Sequence, residues 1–346
     1  MRIILICITI FFTPFALGML TVSHFSLNLV AGCTIYTFRG DPIKVFPGGL
    51  CLFRPNGEFA SMSATKLQYF KNNDELAWSI ENPFFHHQVN ASNVESEILV
   101  MGSNEKMIEG LLHRNDELLV IDSKDGKVLK KIESDEIIKQ MSFKPLGDSK
   151  GFPALKFKTK LESSHFNSFY QIPKLHPTVK GPRWLKEGNY IANSVGLGVF
   201  IFDNDLKNVV HHLVIPDAFI NSVHDVQVTP RGTLIAFVNI ILTKDGGRYS
   251  SVVEIDIPTN KIITKIVGDP NTFFFSERCG GVQDLGNDEL FFSHNFAGAY
   301  LYSKKLKKIT FSNYNVFNNG TRLIPLQQVK AFDMRSFFKN RKSSAF

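Results

Sequence analysis

Three short strings in this chain carry groups able to do chemistry near neutral pH: Phe85-His86-His87-Gln88-Val89, Ser164-His165-Phe166-Asn167-Ser168 and Val223-His224-Asp225-Val226-Gln227. Each sets a histidine among strand-forming residues. A neutral imidazole is a nucleophile, and its two nitrogens can take up or release a proton in the physiological range. A single histidine on a strand is most often a hydrogen-bonded structural residue. Here the histidines recur, because aligned copies of one repeating unit open their first strands at Gly48, His87, His165, His224 and Gly280. If those strands line one axis, three rings share a pocket and the glycines leave room for a ligand. His294, at the end of its unit's second strand, borders that pocket, whereas His113, His176, His211 and His212 fall on loops or outer strands.

Three imidazoles could also hold zinc or copper. The adjacent pairs are His86-His87 and His211-His212, and neighbouring residues of a regular strand point to opposite faces. The expectation is therefore no metal and no cofactor. Gly-x-Ser-x-Gly, Walker and dinucleotide-binding glycine patterns do not occur, so nothing supports a nucleophile elbow, nucleotide hydrolysis or dinucleotide binding.

The elements that must position these residues are strands. The 346 residues include 32 Phe and 8 Tyr, set in short runs with β-branched residues, which favours an all-β fold. A unit of a short strand, a turn, two apolar strands and a polar strand recurs along the chain. Its second strands begin at Glu58, Glu97, Asn189, Thr233 and Glu289, and its third strands cover 67–70, 118–122, 199–203, 252–256 and 299–302. A fainter sixth copy pairs 320–324 with 329–333. A unit of this kind cannot bury both faces alone and must stack, so the expected fold is a six-bladed β-propeller over 45–335. A pair of β-sandwiches is disfavoured by the period of about forty residues. The gap 134–164 is expected to be an insertion with a short helix at 133–140 and a lid over the pocket mouth.

Residues 3–22 lack a charge and follow Arg2, as in a secretory signal or one membrane span. Residues 1–22 are thus a signal or anchor, 23–44 a linker with an N-terminal strand, and 336–346 a basic tail. Either leader directs the remainder out of the cytosol, to a periplasmic or extracellular location. Val30-Ala31-Gly32-Cys33 resembles a lipobox, but Ser23-His24-Phe25-Ser26 interrupts the apolar run it needs. Beyond the leader stand Cys33, Cys51 and Cys279, which allow at most one internal disulfide, Cys33 with Cys51 by proximity. Asn90-Ala91-Ser92 and Asn319-Gly320-Thr321 match the glycosylation sequon. The net charge of +7 is scattered, which argues against a nucleic-acid groove.

Taken in order on an exported propeller, these strings resemble the bacterial aryl-sulfate sulfotransferase family, over roughly 48–311. His224-Asp225-Val226-Gln227 with Thr229-Pro230-Arg231-Gly232 resembles the family's His-Asp strand and Pro-x-Gly turn, and His165-Phe166-Asn167-Ser168 its His-x-Asn-Ser strand. His86-His87 resembles the upstream histidine segment. The resemblance implies sulfuryl transfer from a phenolic sulfate ester to a phenol acceptor through a sulfo-histidine, without a nucleotide donor. His224 would be the nucleophile; His87, His165 and Asn167 would hold the sulfuryl oxygens or protonate the leaving phenolate. His86, Arg278 and His294 would bind substrate. No nucleic-acid partner is expected, membrane contact only through the N-terminal segment, and a homodimer is left open. One departure stands out: the family's arginine after the His-x-Asn strand is matched here by Ser194, so Arg278, Arg183 or another basic residue must replace it, or the chain has changed substrate or lost catalysis and keeps the propeller as a binding module.

Overall fold

In the computed structural model the described residues are 27–31, 33–36, 42–82, 84–108, 110–142, 161–162, 164–215, 218, 222–242, 248–268, 276, 280–286, 288–294, 298–313, 329–333 and 339. The expected leader (1–22), the expected basic tail (336–346) apart from Lys339, and Arg278, Cys279 and Asn319 lie outside them. Among the described residues no helix is long and apolar enough to cross a membrane.

The fold is an all-β propeller. Strands β1 (Leu27–Ala31), β2 (Thr34–Tyr36) and β3 (Pro42–Val45) come first. Blade I follows with β4 (Leu50–Phe53), β5 (Phe59–Met62), β6 (Lys66–Phe70) and β7 (Leu76–Glu81). Blade II has β8 (Phe84–Ala91), β9 (Glu97–Ile108), β10 (Leu111–Asp122) and β11 (Val128–Glu133), with helix α1 (Ser134–Met141) and the two-residue β12 (Leu161–Glu162) beyond it. Blade III is β13 (Phe166–Gln171), β14 (Tyr190–Ser194), β15 (Gly198–Phe202) and β16 (Val209–Leu213). Blade IV is β17 (Val223–Val228), β18 (Thr233–Leu242), β19 (Arg248–Asp256) and β20 (Lys261–Val267). Blade V is β21 (Gly281–Gly286), β22 (Glu289–His294), β23 (Gly298–Ser303) and β24 (Lys308–Asn313). The last strand, β25 (Val329–Asp333), returns to pair antiparallel with β1, Leu27 opposite Asp333.

Five blades of consecutive strands are therefore present, not six. The expected sixth copy is not a repeat of its own: 329–333 is not a third strand but joins a sheet whose other members are β1, β2 and β3. The span 23–44, expected as a linker with one strand, supplies most of that sheet. It is tied to blade I by the Cys33–Cys51 disulfide, Cα atoms 4.8 Å apart, and by Phe46 packed on Phe53 and Phe59. On its other side β25 lies against β21 and β22 of blade V. The first strands β4, β8, β13, β17 and β21 neighbour one another in succession, and β25 lies beside β21.

Burial explains why the units fold only together. The second and third strands of blades III and IV are apolar on both faces, and Ile191, Phe200, Ile235, Phe237 and Val252 have no exposed surface or almost none. Such strands need a partner sheet on each side, which a ring of blades provides. The fourth strands alternate, as Leu76–Glu81 and Lys261–Val267 show, with one side in water.

The short helix expected in the insertion at 133–140 is present at Ser134–Met141. Helix α1 opens on a capping box between Glu133 and Glu136 and buries Ile137 and Ile138 with Phe202 and Leu206 of blade III. Gln140 bonds the backbone of Lys207 and Val209 in the β15–β16 turn. The helix thus wedges between the outer strands of blades II and III; residues 143–160, the greater part of the expected lid, lie outside the described residues. The element that does extend past the blade end is the β9–β10 hairpin, paired from Glu97–Asp122 out to Ile108–Leu111.

Candidate functional site

Each of the three histidine strings sits where its strand breaks register. Between His86 and Val89, between Phe166 and Ser168, and between Val223 and Asp225 the first strand carries extra residues that its neighbour does not match. A bulge of this kind bends the strand and turns a side chain from its alternating direction. His224 and Asn167 are the inserted residues of their blades, so these two are structural equivalents. His165 lies just before β13, two positions earlier than the alignment of repeats placed it.

The rings nevertheless meet. His87 has ring centroids 4.9 Å from His165 and 6.1 Å from His224, and His86 lies 4.8 Å from His87 and 6.5 Å from His165. The expectation that His86 and His87 face opposite ways fails, because His87 takes a left-handed backbone, φ 60°, within the bulge. Their Nδ1 atoms come within 2.5 Å. A bulky residue held in this region costs roughly 1–3 kcal/mol, which the surrounding structure must impose.

Around the rings stands a polar shell that the sequence did not reveal. Nδ1 of His224 lies 2.6 Å from Oδ1 of Asn239, whose Nδ2 donates to the Ser276 carbonyl at 3.0 Å. The second bond fixes the amide, so Nδ1 of His224 must be the donor and the neutral ring carries its lone pair on Nε2. On the other side, Nε2 of His86 lies 3.3 Å from Oδ1 of Asp116 and 3.2 Å from the Gly102 carbonyl, both acceptors. Asp116 also accepts the Phe166 amide at 2.9 Å. Arg114 reaches Ser103 at 3.0 Å and Asp116 at 3.8 Å.

Electrostatics follow from this arrangement. Burial, joined by His86, His165, His224 and Arg114, holds the His87 ring well below the usual imidazole range, so it is neutral at pH 7. Burial alone would raise the Asp116 carboxyl, but the His86 ring and Arg114 outweigh it and hold Asp116 below the usual carboxylate range. Below the rings the first strands are laced by Gln88, Asn90, Asp225 and Gln227: Asn90 donates to Gln88 at 2.7 Å and to the Phe169 carbonyl at 2.8 Å, and Gln227 to the Val282 carbonyl at 2.6 Å. Asp225 accepts the Val282 amide at 3.0 Å. Asn90 is 1% exposed, so its sequon is a core position and not a glycan acceptor.

The remaining expected residues divide. Asn167 is buried and donates to the Val223 carbonyl at 2.9 Å, tying β13 to β17. Ser194, where the family's arginine was expected, is buried and its Oγ accepts the His165 amide at 3.3 Å. Arg278 lies outside the described residues, and only the backbone of His294, opposite Gly298, is described. Arg183 is exposed on the segment after β13, at the far end of that strand from His165. The cation beside the rings is instead Arg114, from the β9–β10 hairpin. Arg114 and Asp116 follow His113, which the sequence places on a loop or outer strand, so nothing in their type or spacing sets them beside the rings. Among the described residues no group of three or more His, Cys, Asp or Glu is set to hold a metal ion.

A propeller whose bulged first strands gather four histidine rings is the class that fold and site define. No family model matches the chain, and no curated protein matches it in sequence. Solved structures similar to it include Sqt1 of Saccharomyces cerevisiae, at 11% identity and TM-score 0.44 over 79% of this chain and 76% of that one. The Pan2 WD40 domain of Neurospora crassa aligns at 10% identity and TM-score 0.46 over 84% and 76%. The dihydro-heme d1 dehydrogenase NirN aligns at 12% and 0.38 over 92% and 76%.

Proposed function

We propose that this chain is an exported transferase of the aryl-sulfate sulfotransferase type, moving a sulfuryl group from a phenolic sulfate to a phenol through His224. The observation that supports this most is the Asn239–His224 contact at 2.6 Å, which directs one ring nitrogen to the amide and the nucleophilic lone pair to the other. A two-step transfer divides one difficult displacement into two. The moving group spreads charge over three oxygens, for which His165 and Arg114 are donors from two different elements, while His87 faces the leaving phenolic oxygen. The site needs no nucleotide donor and no cofactor. The Cys33–Cys51 bond agrees with an oxidising compartment and so with export by the N-terminal segment.

Incubation with a chromogenic aryl sulfate, with and without a phenol acceptor, tests the reading. Acceptor-dependent release of the chromophore and a labile sulfuryl adduct on the His224 peptide are the expected results. Release without acceptor would make the protein a hydrolase, and no release with any aryl sulfate would leave the ring cluster a ligand-binding site.

A further inference from the structure

Asp116, His86 and His87 form a chain that ends among the other rings. Oδ1 of Asp116 meets Nε2 of His86 at 3.3 Å, and Nδ1 of His86 meets Nδ1 of His87 at 2.5 Å. Since Asp116 and the Gly102 carbonyl only accept, Nε2 of His86 carries a proton. Two facing Nδ1 atoms can form a bond only with one proton between them. His87 then presents Nε2 toward the space it shares with His165 and His224. The chain is almost closed to water: the side chains of Asp116 and His86 are 2% and 9% exposed. The groups facing it are Arg114 from β10, His165 before β13 and His224 on β17. The strained backbone of His87 is what brings the two imidazoles into line.

We infer that Asp116–His86–His87 is a proton relay, in which His87 exchanges a proton with the ligand while Asp116 and His86 are positioning residues that hold its tautomer and resupply the proton. This rests on the transferase reading and assigns His86 a place behind His87 instead of a contact with substrate. In the first half-reaction the Nε2 lone pair of His224 forms a bond to sulfur. The bond from sulfur to the phenolic oxygen breaks, and its electron pair stays on that oxygen. The oxygen takes the proton from Nε2 of His87, and the proton between the two rings passes from Nδ1 of His86 to Nδ1 of His87. His86 keeps its Nε2 proton against Asp116 throughout and gives up only the proton it shares with His87. In the second half-reaction the acceptor phenol gives its proton to Nε2 of His87, the shared proton returns to His86, and the phenolic oxygen takes sulfur from His224.

The test is Asp116→Asn assayed with 4-nitrophenyl sulfate, whose leaving group needs no proton, and with 4-methylphenyl sulfate, whose leaving group does. The amide can still accept from the Phe166 amide while its NH2 faces His86 and forces the other tautomer. In a single turnover without acceptor, which isolates the first half-reaction, the stoichiometric burst of phenol from the 4-methylphenyl donor should slow by roughly 10²-fold or more, while that from the 4-nitrophenyl donor stays within about threefold. Equal losses with both donors, or no loss with either, overturn the relay. If Asp116→Asn does not fold, His86→Gln decides by the same pair of donors. Nitrogen NMR of histidine-labelled protein provides a readout apart from turnover: Nε2 of His86, protonated against Asp116, should lose its proton in Asp116→Asn, leaving Nδ1 as the protonated nitrogen. An unchanged tautomer overturns the relay, whereas wild-type protein without transfer but with this tautomer shift overturns the transferase reading and keeps the relay.

Discussion

Strands β8, β13 and β17 are bulged at the end where the rings gather; β4 and β21 pair without a shift at the corresponding end. The bulged three present His87, Asn167 and His224, and the straight two are preceded by Gly48 and Gly280 with positive φ. A side chain at Gly280 would collide with the Phe237 ring, and one at Gly48 with Ser61. The difference teaches how a repeated fold makes an asymmetric site. Extra residues swing functional groups inward on one arc of the ring, and on the other arc the backbone closes tightly over core side chains.

The comparison is broken most severely by His224→Ala, which should abolish acceptor-dependent transfer, a loss of roughly 10³-fold or more, while thermal melting stays near wild type. His224→Asn should be as inactive, because an amide cannot carry the sulfuryl group. Next, reduction of Cys33–Cys51, which closes a loop of 18 residues, should lower stability in urea titration by about 3 kcal/mol. Asn239→Ala frees the tautomer of His224 and should slow transfer by roughly 10²-fold with KM little changed. On the straight arc, Gly280→Ala should cost about 1–3 kcal/mol in the same titration, by overpacking against Phe237.

The smallest effect is in pH dependence. The folded pKa of His87 lies below its unfolded value, so the unfolded chain binds a proton first as pH falls. Stability is therefore complete above the ordinary imidazole value of about 6.5 and declines below it, by up to about 1.4 kcal/mol per pH unit from this group. His87→Gln should flatten that part of the slope between pH 7.5 and 5.5. Asp116 acts in a separate window: its lowered carboxyl adds stability that is lost only as pH falls through its folded value, below the ordinary carboxylate range.

Much of the fold was legible because its signals are local. Alternation and apolar runs located the second strands near Phe59, Ile98, Ile191, Ile235 and Phe291, and the period of the repeats pointed to stacked blades. What escaped was non-local or smaller than one residue's step. Nothing near Val329 says that it pairs with Ala31, and a bulge leaves no mark in composition, so His165 was aligned where Asn167 belongs. The long hairpin hid Arg114 and Asp116 because it outruns the blade it starts from. Asn239 lies 15 positions from His224 and meets it only because β17 and β18 are paired.

The sheet shared by β25 and β1 has a consequence for biosynthesis. During translation the β1 edge has no partner until Val329–Asp333 is made, because its register is set by residues at the opposite end of the chain. Contacts of such sequence separation form slowly, and an open edge invites pairing with other chains in the meantime. A nascent or truncated chain lacking those five residues would thus display an unsatisfied ladder beside a finished stack of blades. For a cell, that exposed edge is a mark by which incomplete copies can be told from complete ones.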